Sequence, residues 1–217
     1  LLLSGWCLNQ GISRFLYASS MVTYGNVDNS PVSEDVLCMP RSYYGVSKLT
    51  SEHLLRLAGV DGLNVTSLRM FSVYGPGQDL GNVQQGMVSI FLSYMLRGVE
   101  VPVTGSLERF RDFVYVEDVV DAWVSALSMS HTPAQAYNVG SGYGTSVRDL
   151  LSSLINALNL SSDYPIRELE GNLSDQFGLY ADISNTINDL GWNPQTSLDD
   201  GLQLMVDWAR TQYKNQG

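Results

Sequence analysis

The sequence is poor in positive charge. Of its 217 residues, 12 are Lys or Arg against 22 Asp or Glu, a formal net charge of −10. Chains that bind nucleic acid carry a basic patch or stripe; these twelve cations are spread thinly, and no nucleic-acid partner is expected. No apolar run reaches the roughly 18–20 residues that cross a bilayer, so no membrane partner is expected either. The two cysteines, Cys7 and Cys38, allow at most one disulfide. A reducing, cytoplasmic setting without that bond is the expectation. Two isolated histidines, His53 and His131, do not make a metal site. The opening Leu1-Leu2-Leu3 has neither Met nor a basic segment, unlike a signal peptide. A dinucleotide site needs a glycine-rich strand–helix turn that lets the backbone approach a pyrophosphate, and none occurs before residue 20.

What is present is enough for a core. Hydrophobic residues make up 44% and charged residues 16%, which is not a disordered composition. Phe15–Ala18 is a short apolar run breaking into Ser19-Ser20, the pattern of a buried parallel strand ending at a polar edge. Residues 25–42, rich in Asn, Asp, Ser and Pro, read as a loop. A helix is predicted from Ser42 to Ala58, stopped by Gly59, then a strand from Asn64 to Phe71 and a turn at Gly75-Pro76-Gly77. Further helices are predicted over Val88–Leu96, Val119–Met129, Ser146–Leu158, Asp182–Gly191 and Leu198–Tyr213. Short strands are predicted at Val101–Val103, Phe113–Val116 and Tyr137–Val139. Strand–helix alternation with short connections predicts an α/β fold with a parallel sheet.

Tyr44 and Lys48 lie one helical turn apart on one face. A phenol, with an ordinary pKa of about 10, is a poor base near neutrality, and a close ammonium favours the phenolate. That pairing suits proton transfer from an alcohol or sugar hydroxyl. Ser20 stands where a buried strand ends, at the edge where parallel sheets place their sites. Its hydroxyl can bond the same substrate oxygen as the phenol.

Together, Ala18-Ser19-Ser20-x3-Tyr24-Gly25 and Tyr44-Gly45-Val46-Ser47-Lys48 resemble the extended short-chain dehydrogenase/reductase family, the NAD-dependent nucleotide-sugar epimerases and dehydratases. Four more segments fit that family in order: Leu68–Pro76, Arg111–Val119, Tyr137–Gly142 and Leu190–Pro194. The resemblance implies the C-terminal part of a Rossmann-like parallel sheet plus a smaller α/β substrate-binding region. It divides the chain into a remnant of the NAD-binding domain, residues 1–75, and a mainly substrate-binding region, 76–217, with some segments returning to the first. It implies catalytic roles for Ser20, Tyr44 and Lys48, and NAD contacts at Ser19, Tyr44, Lys48 and Phe71. A nucleotide-diphosphate sugar would meet Ser20, Ser72, Met87, Val88, Arg111 and Asp175, with Arg111 on the diphosphate. A homodimer is the usual assembly.

Three departures sharpen the reaction. Ser72 stands where the family usually has Asn, which shortens or removes one substrate hydrogen bond. Asn172-Leu173-Ser174-Asp175 replaces a turn that often carries a second diphosphate arginine, a role open to Arg167. Family members that eliminate water at C4–C6 carry Asp-Glu after the catalytic hydroxyl, where this chain has Met21-Val22. Elimination needs that extra acid and base, so a UDP-glucose 4-epimerase-like isomerase is expected. The alternatives are another epimerase, reductase or dehydratase of the family, or a non-catalytic sugar-nucleotide-binding fragment. Leu179 falls near a position that is small in epimerases of N-acetylated sugars, and fits either a pocket favouring plain hexoses or the core. Gly140-Ser141-Gly142-Tyr143-Gly144-Thr145 imitates a dinucleotide turn, but Thr145 replaces the third Gly and the segment is set aside. The family's glycine-rich turn lies well upstream of the position Ser20 fills, so the sequence is expected to be an N-terminally truncated form of such an enzyme.

Overall fold

The structure, a computed structural model, describes residues 2–27, 30–82, 86–133, 135–171 and 177–214. In chain order the elements are α1 (Leu2–Asn9), β1 (Arg14–Ser20), a 3-10 turn (Met21–Thr23), α2 (Tyr43–Val60), β2 (Asn64–Met70), β3 (Ser72–Tyr74), α3 (Met87–Leu96), β4 (Val101–Thr104), β5 (Phe110–Arg111), β6 (Phe113–Tyr115), α4 (Val116–Ser128), β7 (Ala136–Val139), β8 (Thr145–Ser146), α5 (Val147–Leu158), β9 (Ile166–Leu169), β10 (Gly178–Leu179), α6 (Ser184–Leu190) and α7 (Leu198–Lys214). The α/β class with parallel pairing is as expected.

The central sheet has the order β1-β2-β7, with every pair parallel. Its register aligns Ser20 with Met70 and Met70 with Val139, so three strands end together at one edge. Parallel sheets bury both faces under helices. Here Leu68, Tyr137 and Val139 pack against Val119, Ala122 and Trp192. A second core joins α3, α5 and α7, where Leu92, Leu150, Leu154, Leu202, Met205 and Val206 are buried. In α5 the buried positions 147, 150, 151, 154, 155 and 158 follow the helical period and give it one apolar face. Ser146 caps it, its hydroxyl accepting from Asp149 N at 3.0 Å, and Asn159 closes it in the left-handed conformation.

The differences from the sequence reading have local causes. Gly59 does not stop α2, which continues to Val60, and the Asp61 N–H closes the last turn on the Leu57 and Gly59 carbonyls. Val116 opens α4 rather than ending a strand, and Phe71 lies just past β2. In α6 the cap position is Ile183, although Asp182 Oδ1 still accepts from Ser184 N at 2.9 Å. Strands β3, β5, β8 and β10 are two or three residues long, too short to show a period of two. Strand β9, mostly exposed, pairs with β4 over Val101–Thr104 and was not foreseen. Cys7 and Cys38 are both free. Among the described residues no helix is long and apolar enough to cross a membrane, and no cluster of His, Cys, Asp or Glu could hold a metal ion.

Candidate active site

The C-terminal edge of β1 and the N-terminus of α2 meet over a cavity of about 660 Å³, within the range of small-molecule sites. The approach depends on Gly45, next to Tyr44. A Cβ there would lie 2.8 Å from the Val22 carbonyl oxygen and 2.9 Å from Pro40 Cβ. Without a side chain, the first turn of α2 can rest on the 3-10 turn that follows Ser20. Ser42 fixes the start of the helix by accepting from Gly45 N at 3.0 Å.

Seven of the residues implied by the motifs line this cavity: Ser19, Ser20, Tyr44, Phe71, Ser72, Met87 and Val88. Tyr44 is 55% exposed, which leaves its ring accessible to a ligand. Ser20 caps the 3-10 turn, its hydroxyl accepting weakly from Val22 N at 3.4 Å. Ser72 is anchored by its backbone N–H on the Asp112 carbonyl at 2.9 Å. Lys48 is not a wall residue. Its Nζ donates to the Ala18 carbonyl at 2.7 Å and lies 5.4 Å from the centre of the Tyr44 ring. The ammonium is therefore pinned between the end of β1 and the phenol. No Asp or Glu occurs among the described residues of the cavity wall.

One implied residue stands apart. Arg111, in β5, does not line the cavity, and its Nη1 donates to the Phe110 carbonyl at 2.7 Å and the Phe177 carbonyl at 3.3 Å. Asp175, together with the Asn172–Asp175 turn, lies outside the described residues. Arg167 pairs with Glu100 at 2.9 Å on the surface. Leu179 is a core residue, 1% exposed and packed with Tyr24, Val32 and Phe71, so it shapes no part of the cavity wall.

The sequence reading missed the support beneath this edge. One turn beyond Lys48, Glu52 accepts from Ser19 Oγ and is gripped by Arg69, with Nε to Oε1 at 3.0 Å and Nη2 to Oε2 at 2.7 Å. This ion pair is buried, 8% exposed on each side. Arg69 Nη1 also donates to the Tyr24 hydroxyl at 3.1 Å, which in turn donates to Asn138 Oδ1 at 2.6 Å. Burial holds the Tyr24 phenol protonated, well above the ordinary tyrosine range, despite the nearby Arg69. Ser19, Arg69 and Asn138 are neighbours in register across β1, β2 and β7. The signal in the sequence was a Glu four residues after Lys48 and an Arg inside a buried strand. Gln78 was missed as well. It lines the cavity with a buried Oε1 that no described donor meets.

Glu34 closes the same network, Oε1 accepting from Asn138 N at 2.7 Å and Oε2 from Asn185 Nδ2 at 2.8 Å. Burial raises its pKa above the ordinary 4.5, outweighing these bonds. The folded state thus holds this proton to higher pH than the unfolded chain. The Glu34 contribution to stability is present below pH 4.5 and declines as pH rises through the folded value. Urea titrations across that window should show wild type losing ground to Glu34→Gln as pH rises. Parallel curves would contradict this.

The turn that imitates a dinucleotide site is already engaged. Ser141 N donates to Asp112 Oδ1 at 2.6 Å, Gly142 N to Oδ2 at 3.1 Å and Ala181 N to Oδ2 at 3.0 Å. Burial raises the Asp112 pKa and these N–H bonds lower it, leaving it above the ordinary value. The backbone donors a pyrophosphate would need at this turn are bonded within the protein.

The family profile described as "NAD dependent epimerase/dehydratase family" matches residues 1–140. The chain belongs to the NAD-dependent epimerase/dehydratase family. The dTDP-4-dehydro-6-deoxyglucose reductase of Escherichia coli is 30% identical over 203 residues, 92% of this chain and 62% of that protein. Among solved structures, the UDP-glucose 4-epimerase of Thermotoga maritima with UDP-glucose superimposes with a TM-score of 0.90 at 33% identity, over 98% of this chain and 68% of that one. The UDP-glucuronic acid 4-epimerase of Bacillus cereus, in complex with UDP-glucuronic acid and NAD, gives 0.86 at 28% identity, over 97% and 66%. The chain therefore spans about two-thirds or less of the length of these family members. For the family cofactor, this chain's residues fit one end. Exposed Tyr44, pinned Lys48 and the wall at Ser19 and Phe71 suit a nicotinamide ribose, whereas the 141–142 turn is closed to the pyrophosphate.

Proposed function

We propose that this chain forms the catalytic edge of a nucleotide-sugar 4-epimerase that acts on a UDP-hexose with NAD. The observation that carries the reading is the convergence of Ser20, Tyr44 and the Lys48–Ala18 bond on a cavity whose described wall has no carboxylate. The similarity to the two 4-epimerase structures supports it. In this reading residues 1–75 belong to the cofactor domain and 76–217 mainly to the sugar-nucleotide region. A homodimer is the expected assembly in this reading.

Tyr44 is the residue that takes the proton from the C4 hydroxyl and later returns it. Lys48, held beside the ring by the Ala18 carbonyl, sets a positive charge next to the phenol, and Ser20 hydrogen-bonds the same oxygen. When bound, NAD would supply the hydride chemistry at C4. One acid/base suffices because the same hydride leaves and returns, and a wall without carboxylates offers no second group for eliminating water. Ser72, Met87, Val88 and Gln78 shape the sugar pocket, and Arg111 and Asp175 remain the residues the motifs assign to the nucleotide diphosphate. The test is product analysis on a panel of nucleotide sugars with the NAD-loaded protein. Inversion at C4 is expected, and a 4-keto-6-deoxy product would overturn the reading.

A second reading is sugar-nucleotide binding without catalysis. The Asp112-bonded turn favours it, since the described residues then offer no free glycine-rich turn to cradle a pyrophosphate. Titration of the full-length protein with NADH, followed by its fluorescence, separates the two. Saturable binding supports the enzyme, and its absence supports the binding protein.

A further inference from the structure

A second cavity, about 550 Å³, lies beside α2 and reaches the opposite end of the central sheet. Asn64, which opens β2, lines it, whereas Ser20 and Met70 close their strands at the other edge. With β2 seven residues long, the two ends are separated by about 20 Å at roughly 3.3 Å per residue.

The charges around this cavity run against those of the molecule. The chain carries a net charge of −10 and two histidines, and both histidines line this one cavity. His53 and Arg56 approach from α2, three residues apart and so on one helix face. His131 faces them from the segment before β7. All three side chains are exposed, and none has a hydrogen bond or ion pair to another described residue. Glu52 is the one carboxylate among the described lining residues, and its charge is matched by Arg69. Arg69 is itself engaged by Glu52, Tyr24 and the Glu34 carbonyl. A concave site lined by one sign of charge concentrates the opposite ion. Beside the cations, Leu63, Val65 and Pro133 give an apolar ledge.

We propose that this cavity is a second ligand site, which binds a phosphorylated small molecule with its phosphate on Arg56, His53 and His131 and its body on the apolar ledge. Arginine offers a planar fork suited to phosphate oxygens, and the protonated or neutral imidazoles each offer an N–H donor. The site lies outside the Tyr44 cavity and does not depend on the epimerase reading.

The two histidines are also the reporters, because the chain has no others. The 217-residue chain is titrated with glucose 1-phosphate, and separately with inorganic phosphate, at fixed pH and salt while the imidazole NMR signals are followed. Both signals are expected to move with one common midpoint, at lower concentration for glucose 1-phosphate. Arg56→Ala, at an exposed position, is expected to weaken binding by about tenfold or more, the effect of removing a charged hydrogen-bonding partner. Tyr44→Phe should leave the midpoint unchanged. Movement without saturation, separate midpoints for the two histidines, or movement equal in Arg56→Ala would overturn the proposal.

Discussion

Tyr44→Phe is expected to lower turnover of a nucleotide sugar by about 10²–10⁴-fold, the usual contribution of a positioned acid/base. The substitution removes one oxygen from a side chain that is 55% exposed, so it leaves no buried partner unmatched and the fold should be unaffected. Lys48 remains held by the Ala18 carbonyl, so the electrostatics of the edge persist without the group that moves the proton. The effect should therefore fall on kcat, with KM changed no more than severalfold. Steady-state kinetics with the NAD-loaded protein measure this, with urea unfolding as the control for folding. A drop confined to KM would make Tyr44 a binding residue instead.

The largest stability effect is expected at Glu52. Glu52→Ala leaves the Arg69 guanidinium buried without its counter-charge and removes the acceptor for Ser19 Oγ. Breaking one side of a buried pair costs about 3–5 kcal/mol. The double variant Glu52→Leu with Arg69→Met should lose much less, because replacing both charges with apolar groups of similar volume is often neutral. Chemical denaturation of the three proteins measures the difference. The comparison also separates stability from position, since the pair ties α2 to β2 while Glu52 holds Ser19 of β1, next to Ser20. If the double variant is stable yet inactive, the charges serve geometry. A loss below about 1 kcal/mol for Glu52→Ala would mean that Arg69 finds another partner or water.

Much of this was legible because chemistry and topology coincide in short motifs. The pairing of Ser20 with a strand end, and of Tyr44 with Lys48 one turn apart, needed only the period of a helix and the end of an apolar run. The helices were legible for a similar reason: α5 repeats its apolar residues over three turns and has a Ser cap. What escaped had no local pattern. Strands β5, β8 and β10 exist only through partners distant in sequence. The Glu52–Arg69 pair is formed by residues 17 apart, and each alone reads as a surface charge on a helix or a polar interruption in a strand. Arg111 was identified by its motif, yet its guanidinium lies on the Phe110 and Phe177 carbonyls outside the cavity. Leu179 could be assigned to pocket or core only once Tyr24 and Phe71 were seen around it. Thr145 and the match of the neighbouring residues to a late loop of the family set the decoy turn aside, and the structure adds that Asp112 already binds its N–H groups.

The central claim is that Tyr44, Lys48 and Ser20 invert C4 of a nucleotide sugar by moving a proton while a hydride leaves and returns unexchanged. The most direct measurement is NMR of UDP-glucose incubated in deuterium oxide with NAD and the protein. The account predicts the C4 epimer with its carbon-bound hydrogen at C4 retained as protium, and no conversion with Tyr44→Phe on the same timescale. Deuterium at C4 of the product, or conversion that survives the loss of the phenol, would contradict it.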